Sequence, residues 1–261
     1  MAFSVFTALS LAALFVSAVM LILYNLSVIG TGAVLAVYFF LMISLGTLAL
    51  AVTKKTEYAP SFDNSKGSLM KVMSFLCAGG FVVEMVSEIL QLYDYLTMDR
   101  IIFLRAPLLA LTAVAAFLSA FSMAMAGISF GDTKYNIRRV SAVAFIPLGW
   151  VMLKAGCMLS EYINFARDLD SALKIVFMIF ALCFFWCFAF EAVRSEGSSV
   201  RTVFFAGALF ISGVLYFISR FTLVVSGRAE LFDFENLFAV SVLLFSAFAF
   251  SFRKSITDNS Q

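Results

Sequence analysis

Four charged side chains interrupt otherwise apolar runs of this 261-residue chain: Glu84, Glu88, Lys154 and Arg220. A charge at the centre of a membrane helix costs roughly 2.5–3.5 kcal/mol on insertion scales, so four unsheltered ones would cost on the order of 10 kcal/mol. Such groups persist when they face other helices, pair with one another or touch water. Two negative and two positive charges sum to zero, which allows two kinds of chemistry. As a closed ion-pair set they bolt helices in register. As an open set they line a path for a charged or zwitterionic solute, or an ion, that competes with the internal pairs.

Neighbours at helical spacing extend the polar surface. Lys71, Ser74, Cys77, Glu84, Glu88, Gln91 and Tyr95 follow steps of three, four or seven residues, as do Trp150, Lys154, Cys157 and Glu161. Ser212, Tyr216, Ser219 and Arg220 cluster on adjoining faces. Gln91 and Tyr216 therefore join the four charges as candidate pathway residues. Pro147, with Gly149 behind it, removes a backbone donor and leaves the carbonyl of Val143 without its usual partner, two turns before Lys154. A helix kinked beside an intramembrane charge is a feature of transport sites, although proline is also common in inert membrane helices.

Several chemistries are excluded or disfavoured. The chain has no histidine, which removes His-ligated metals, His-ligated haem and His-based acid–base catalysis. The HExxH zinc motif is missing and no serine has a histidine partner. Glu84 and Glu88 resemble an acid dyad in type, but both sit on one helix and no second acidic helix is expected at that depth. The final span has no lysine for a retinal. Cys77, Cys157, Cys183 and Cys187 fall in apolar stretches, where they read as packing residues rather than disulfides or metal ligands. The expectation is a protein that is not an enzyme, with no metal and no cofactor.

The elements that position these residues follow from composition. Hydrophobic residues make up 63% of the chain and charged ones 13%, with a mean hydropathy of +1.02; soluble domains hold about 45–50% and about 25%. The solvent around most of the chain is lipid. Residues 1–53 carry no charge, and as one helix they would reach ~80 Å against a hydrocarbon core of ~30 Å, so they fold back. The break falls near Tyr24–Asn25. Apolar runs bounded by charge place spans at about 3–24, 28–53, 72–96, 104–128, 140–162, 172–193, 202–225 and 236–252. Backbone groups in lipid must be satisfied internally and no barrel-like alternation is present. The fold class is therefore all-α: a polytopic transmembrane bundle of about eight helices, arranged as four consecutive hairpins in a single domain, 1–261. Odd helices carry the charges and are expected to line the centre. Even helices, among them a fourth span rich in Ala, Ser and Gly, are expected to brace them. A weak internal repeat lays Gly80–Asp99 over Gly149–Asp168.

Eleven Lys and Arg residues, from Lys54 to Lys254, lie on the even connections and the C-terminal tail. Five (Arg100, Arg105, Arg167, Lys174 and Arg228) lie on the other side, interleaved with acids that include Asp170, Asp233 and Glu235. This bias predicts a multi-pass protein of the plasma (cytoplasmic, inner) membrane with both termini in the cytoplasm. A net charge of +2 gives no reason to expect nucleic acid. The partners implied are the lipid bilayer, a small charged solute or ion, and a protein partner or second copy of the chain. Two functions fit: a small-solute or ion transporter or channel-like protein with a central charged site, or a non-catalytic sensor or accessory subunit whose buried charges are structural.

Overall fold

A computed structural model describes residues 2–30, 32–55, 68–97, 105–130, 142–161, 169–193, 199–230 and 233–258. Among these residues there are eight helices and no strand: α1 (Ala2–Asn25), α2 (Gly32–Lys55), α3 (Ser68–Thr97), α4 (Arg105–Ser129), α5 (Ile146–Glu161), α6 (Leu169–Val193), α7 (Ser199–Val225) and α8 (Phe234–Asp258). All except α5 are long and apolar enough to cross a membrane. Large apolar side chains, among them Phe15, Leu35, Phe39, Phe117, Trp186 and Phe221, are more than half exposed, as expected where acyl chains and not water surround the helices. This is an integral membrane protein of the all-α class. Seven of the sixteen basic residues that predict its orientation lie outside the described residues.

The four-hairpin arrangement takes a more specific form. Helices α3 to α8 close a ring in chain order, α8 packing back against α3, while the α1–α2 hairpin stands outside and docks on α7. We call the end where odd helices begin the first end, and the end where they finish the second. The hairpin is stitched internally by Ser10 and Ser44, whose hydroxyls donate to each other's backbone carbonyls at 3.0 and 2.9 Å. It is fastened to the ring at the second end. There α1 and α7 finish in the same way, with Ser27 (φ 59°) and Gly227 (φ 69°) in the left-handed region and the following amides bonding back to Leu23 and Leu223. Arg228 donates to Ser27 Oγ at 2.6 Å, and Asn25 Nδ2 donates to Thr222 Oγ1 at 2.8 Å.

Without a strong hydrophobic drive between helices in lipid, close packing sets the ring. A Cβ at Gly80 of α3 would stand 2.7 Å from the Phe245 ring of α8, and one at Gly213 of α7 would fall 1.7 Å from Ser246 Oγ. These glycines let α8 nest between α3 and α7. The paired glycines of the internal repeat are not equivalent: Gly80 is buried against α8, whereas Gly149 is exposed with open space beside it.

Helix α5 differs from the expected kinked span. Residues 142–145 form a 3₁₀ turn and the α-helix starts at Ile146, so Pro147 sits in the first α-helical turn, where a missing amide donor is tolerated. The break is thus at the start of the segment and not within it. Sixteen α-helical residues rise ~24 Å and the 3₁₀ turn adds ~8 Å, which brings this short element close to a full crossing. The carbonyl of Val143 accepts a hydrogen bond from Ser122 Oγ of α4 at 2.6 Å. A Ser122→Ala protein is expected to lose about 1–3 kcal/mol of stability, read as a lower melting temperature in detergent.

Candidate functional site

Glu84 and Glu88 lie in the middle of α3, one turn apart on its inward face, and Lys154 of α5 comes between them. They are 0%, 1% and 7% exposed. Lys154 Nζ donates to Glu88 Oε1 and lies 3.3 Å from Glu84 Oε2. That second contact is an ion pair without a directed hydrogen bond, since Glu84 Oε2 is fully buried and no donor points at it. Each carboxylate has a hydroxyl on its far side. Ser241 of α8 donates to Glu84 Oε1 at 2.6 Å, and Thr112 of α4 donates to Glu88 Oε2 at 3.0 Å.

Arg220 is elsewhere. It lies five residues before the end of α7, ~7.5 Å of rise from the second end, and pairs with Asp170 Oδ2 at 3.0 Å and Glu235 Oε2 at 2.6 Å, with Asp233 Oδ2 at 4.0 Å. The expected zero-sum quartet is therefore two separate sites. The reason is local. Asp170 and Glu235 are the second residues of α6 and α8, where the exposed amide ends of a helix favour a carboxylate, and they meet the guanidinium before it can reach α3. Asp170 is buried, while the Asp233 and Glu235 side chains are 44% and 39% exposed.

Phe238 of α8 stands between the two sites. Lys154 Nζ is 5.4 Å from its ring centroid and Lys174 Nζ of α6 is 5.0 Å from it, with the Tyr216 ring at 5.9 Å. Ammonium groups on a ring face are attracted to its quadrupole. Between the half-exposed Glu235 and Lys154 thus lie Arg220, Tyr216, Phe238 and Lys174.

Towards the first end the character changes at once. Phe81 precedes Glu84 by three residues, Trp150 precedes Lys154 by four, and Phe245 follows Ser241 by four on the antiparallel α8, so all three lie one turn nearer that end. With Phe185 of α6 they form a stack in which ring centroids are 5.1 Å (Phe81–Trp150), 4.5 Å (Phe81–Phe245) and 5.7 Å (Trp150–Phe245) apart, all four side chains being fully buried.

The inward stripes expected on α3, α5 and α7 are present: Ser74, Cys77, Glu84, Glu88 and Tyr95, then Trp150, Lys154 and Cys157, then Ser212, Tyr216, Ser219 and Arg220 are all buried. Lys71 is exposed, Gln91 is half-buried and donates to Ser87 Oγ at 3.4 Å, and the side chain of Glu161 lies outside the described residues. The division into lining odd helices and bracing even ones does not hold. Thr112, Asp170 and Ser241 come from α4, α6 and α8. Glu191, two residues before the end of α6, also has both carboxyl oxygens buried, beside Thr202 of α7, so an even helix does carry a buried acid. Among the described residues no group of three or more Cys, Asp or Glu is placed to hold a metal ion. Matched against family models, curated proteins and solved structures, the chain finds no counterpart in any of them, so the reading of its site rests on its own geometry.

Proposed function

We propose that this membrane protein moves a small solute or an ion across the bilayer, with Lys154, Glu84 and Glu88 as the central binding groups and Tyr216 and Arg220 on the approach. The observation that carries the reading is the polar line from Glu235 and Asp233 inward to Lys154, ending on the aromatic stack. A bolt that served register alone would not need half-exposed carboxylates at its outer end. Lysine and arginine bias puts the termini in the cytoplasm of a plasma or inner membrane, so the second end faces outward and the stack closes the cytoplasmic side. No catalytic step is assigned to any residue.

Charge movement on solid-supported membranes, with jumps in pH, NaCl, KCl or a mixture of zwitterionic amino acids, tests the proposal. The wild type is expected to give a transient current for at least one jump. Glu88→Gln and Lys154→Met are expected to abolish it at equal amounts of monodisperse protein, and Arg228→Gln, away from the line, to retain it. Wild-type currents in both site variants, or no current from wild type in any jump, would overturn the reading.

A further inference from the structure

The central site holds two carboxylates and one ammonium, and the separation of Arg220 leaves it one negative charge in excess. In a lipid solvent an unbalanced buried charge costs far more than taking up a proton, so groups in such places neutralise instead. The hydrogen-bond geometry says which carboxylate takes it. Glu88 receives the directed bond from Lys154 and is the carboxylate of that pair. Glu84 has one oxygen that accepts no directed hydrogen bond, with Lys154 Nζ 3.3 Å away, and another 2.6 Å from Ser241 Oγ. Ser241 has one hydrogen but two oxygens within reach, Glu84 Oε1 and the Phe238 carbonyl at 2.7 Å. With Glu84 ionised, the hydroxyl donates to the carboxylate. With Glu84 protonated at Oε1, the carboxyl donates to Ser241 and the hydroxyl turns to Phe238, so the contacts survive in both states.

We infer that Glu84 is a proton-binding site inside the ring, neutral while Glu88 and Lys154 are paired and able to exchange its proton with water arriving from the second end. The exchange is a plain dissociation: the carboxyl O–H bond breaks, the proton goes to water, and Ser241 swings from Phe238 to the new carboxylate. The other groups that face the pair are Lys154 on α5, Thr112 on α4, Ser241 on α8 and, across Phe238, Tyr216 on α7 and Lys174 on α6. The inference names the ion of the transport reading and rests on that reading for the proton's destination only.

Infrared spectra of the purified full chain in detergent test it, through the carbonyl stretch of a protonated carboxyl in apolar surroundings. The wild type is expected to show this band near neutral pH and Glu84→Gln, in a Glu191→Gln background that removes another buried carboxyl, to lose it. Lys154→Met leaves two carboxyls to be neutralised, so in the same background its band is expected to grow about twofold. Lys174→Met is expected to leave the band as it is. Absence of the band from wild type, or its persistence in Glu84→Gln in that background, would overturn the assignment. So would its loss on adding NaCl or KCl at constant pH, which would place a metal cation there. Its appearance only in Lys174→Met would show that Lys174 supplies the missing charge and would overturn it too. A band that behaves as expected in a protein with no current for any jump would refute transport and leave the proton site standing.

Discussion

Lys154→Met is expected to lower the stability of the bundle by about 3–5 kcal/mol, the usual consequence of removing one partner of a buried ion pair. The loss comes from the groups left behind. Glu84 and Glu88 keep their hydroxyl partners on α8 and α4 but lose the cation between them, and buried carboxylates without a counter-charge are costly. The loss should appear as a lower melting temperature for the variant than for wild type in the same detergent. Adding Glu88→Gln to Lys154→Met should recover most of the loss at neutral pH, because it removes the carboxylate that Lys154 neutralised. Failure of the double variant to recover it would show that Lys154 acts through packing and not charge.

The second large effect is expected at Gly213. A methyl group there would fall 1.7 Å from Ser246 Oγ and 2.9 Å from Ser246 Cβ, with the Phe177 ring at 3.3 Å. No rotamer of Ser246 clears a contact that includes its own Cβ, so α7 and α8 must separate. Overpacking costs typically 1–3 kcal/mol, and here it opens the seam that holds Arg220 against Glu235. Gly213→Val should therefore reduce the yield of monodisperse protein sharply. Gly213→Ala with Ser246→Gly, which returns the lost space, should restore it. Failure of the pair to restore folding would mean that the seam is held by contacts other than this close approach.

Much of the architecture was legible because lipid is a demanding solvent. Charge-bounded apolar runs marked all eight helices, and six begin and end within four residues of the expected limits, while α5 starts six residues late and α8 runs six further. The carbonyl that Pro147 frees was also readable, and Ser122 meets it. The proline's position in the first turn was not readable, since a 3₁₀ turn and an α-helix share the same apolar pattern. The four deep charges were conspicuous for their cost, and all are buried. Their pairing was not deducible. Arg220 was grouped with the glutamates because depth along a span is known from sequence only to within a turn or two, and a guanidinium reaches that far. Its true partners, Asp170 and Glu235, looked like loop acids until their places at helix starts were known. Thr112 and Ser241 carried no signal, because hydroxyl residues are scattered through membrane helices, where they satisfy their own backbone. The closure of α8 onto α3 depends on Gly80 meeting Phe245, a contact between residues far apart in the chain.

On the transport proposed above, the four rings below Lys154 would set a kinetic limit. A conduit open to both compartments passes ions at close to their diffusive rate. Here one compartment sees a wall of interlocked Phe and Trp side chains on α3, α5, α6 and α8, and edge-to-face contacts of this type contribute about 0.5–1.5 kcal/mol each beyond the area they bury. In that proposed cycle four helices would have to shift together before cargo left on that side, a collective step of microseconds to milliseconds. Turnover would track how often the bundle breathes, so trimming Phe245 to leucine should raise the throughput and weaken the seal in the same stroke.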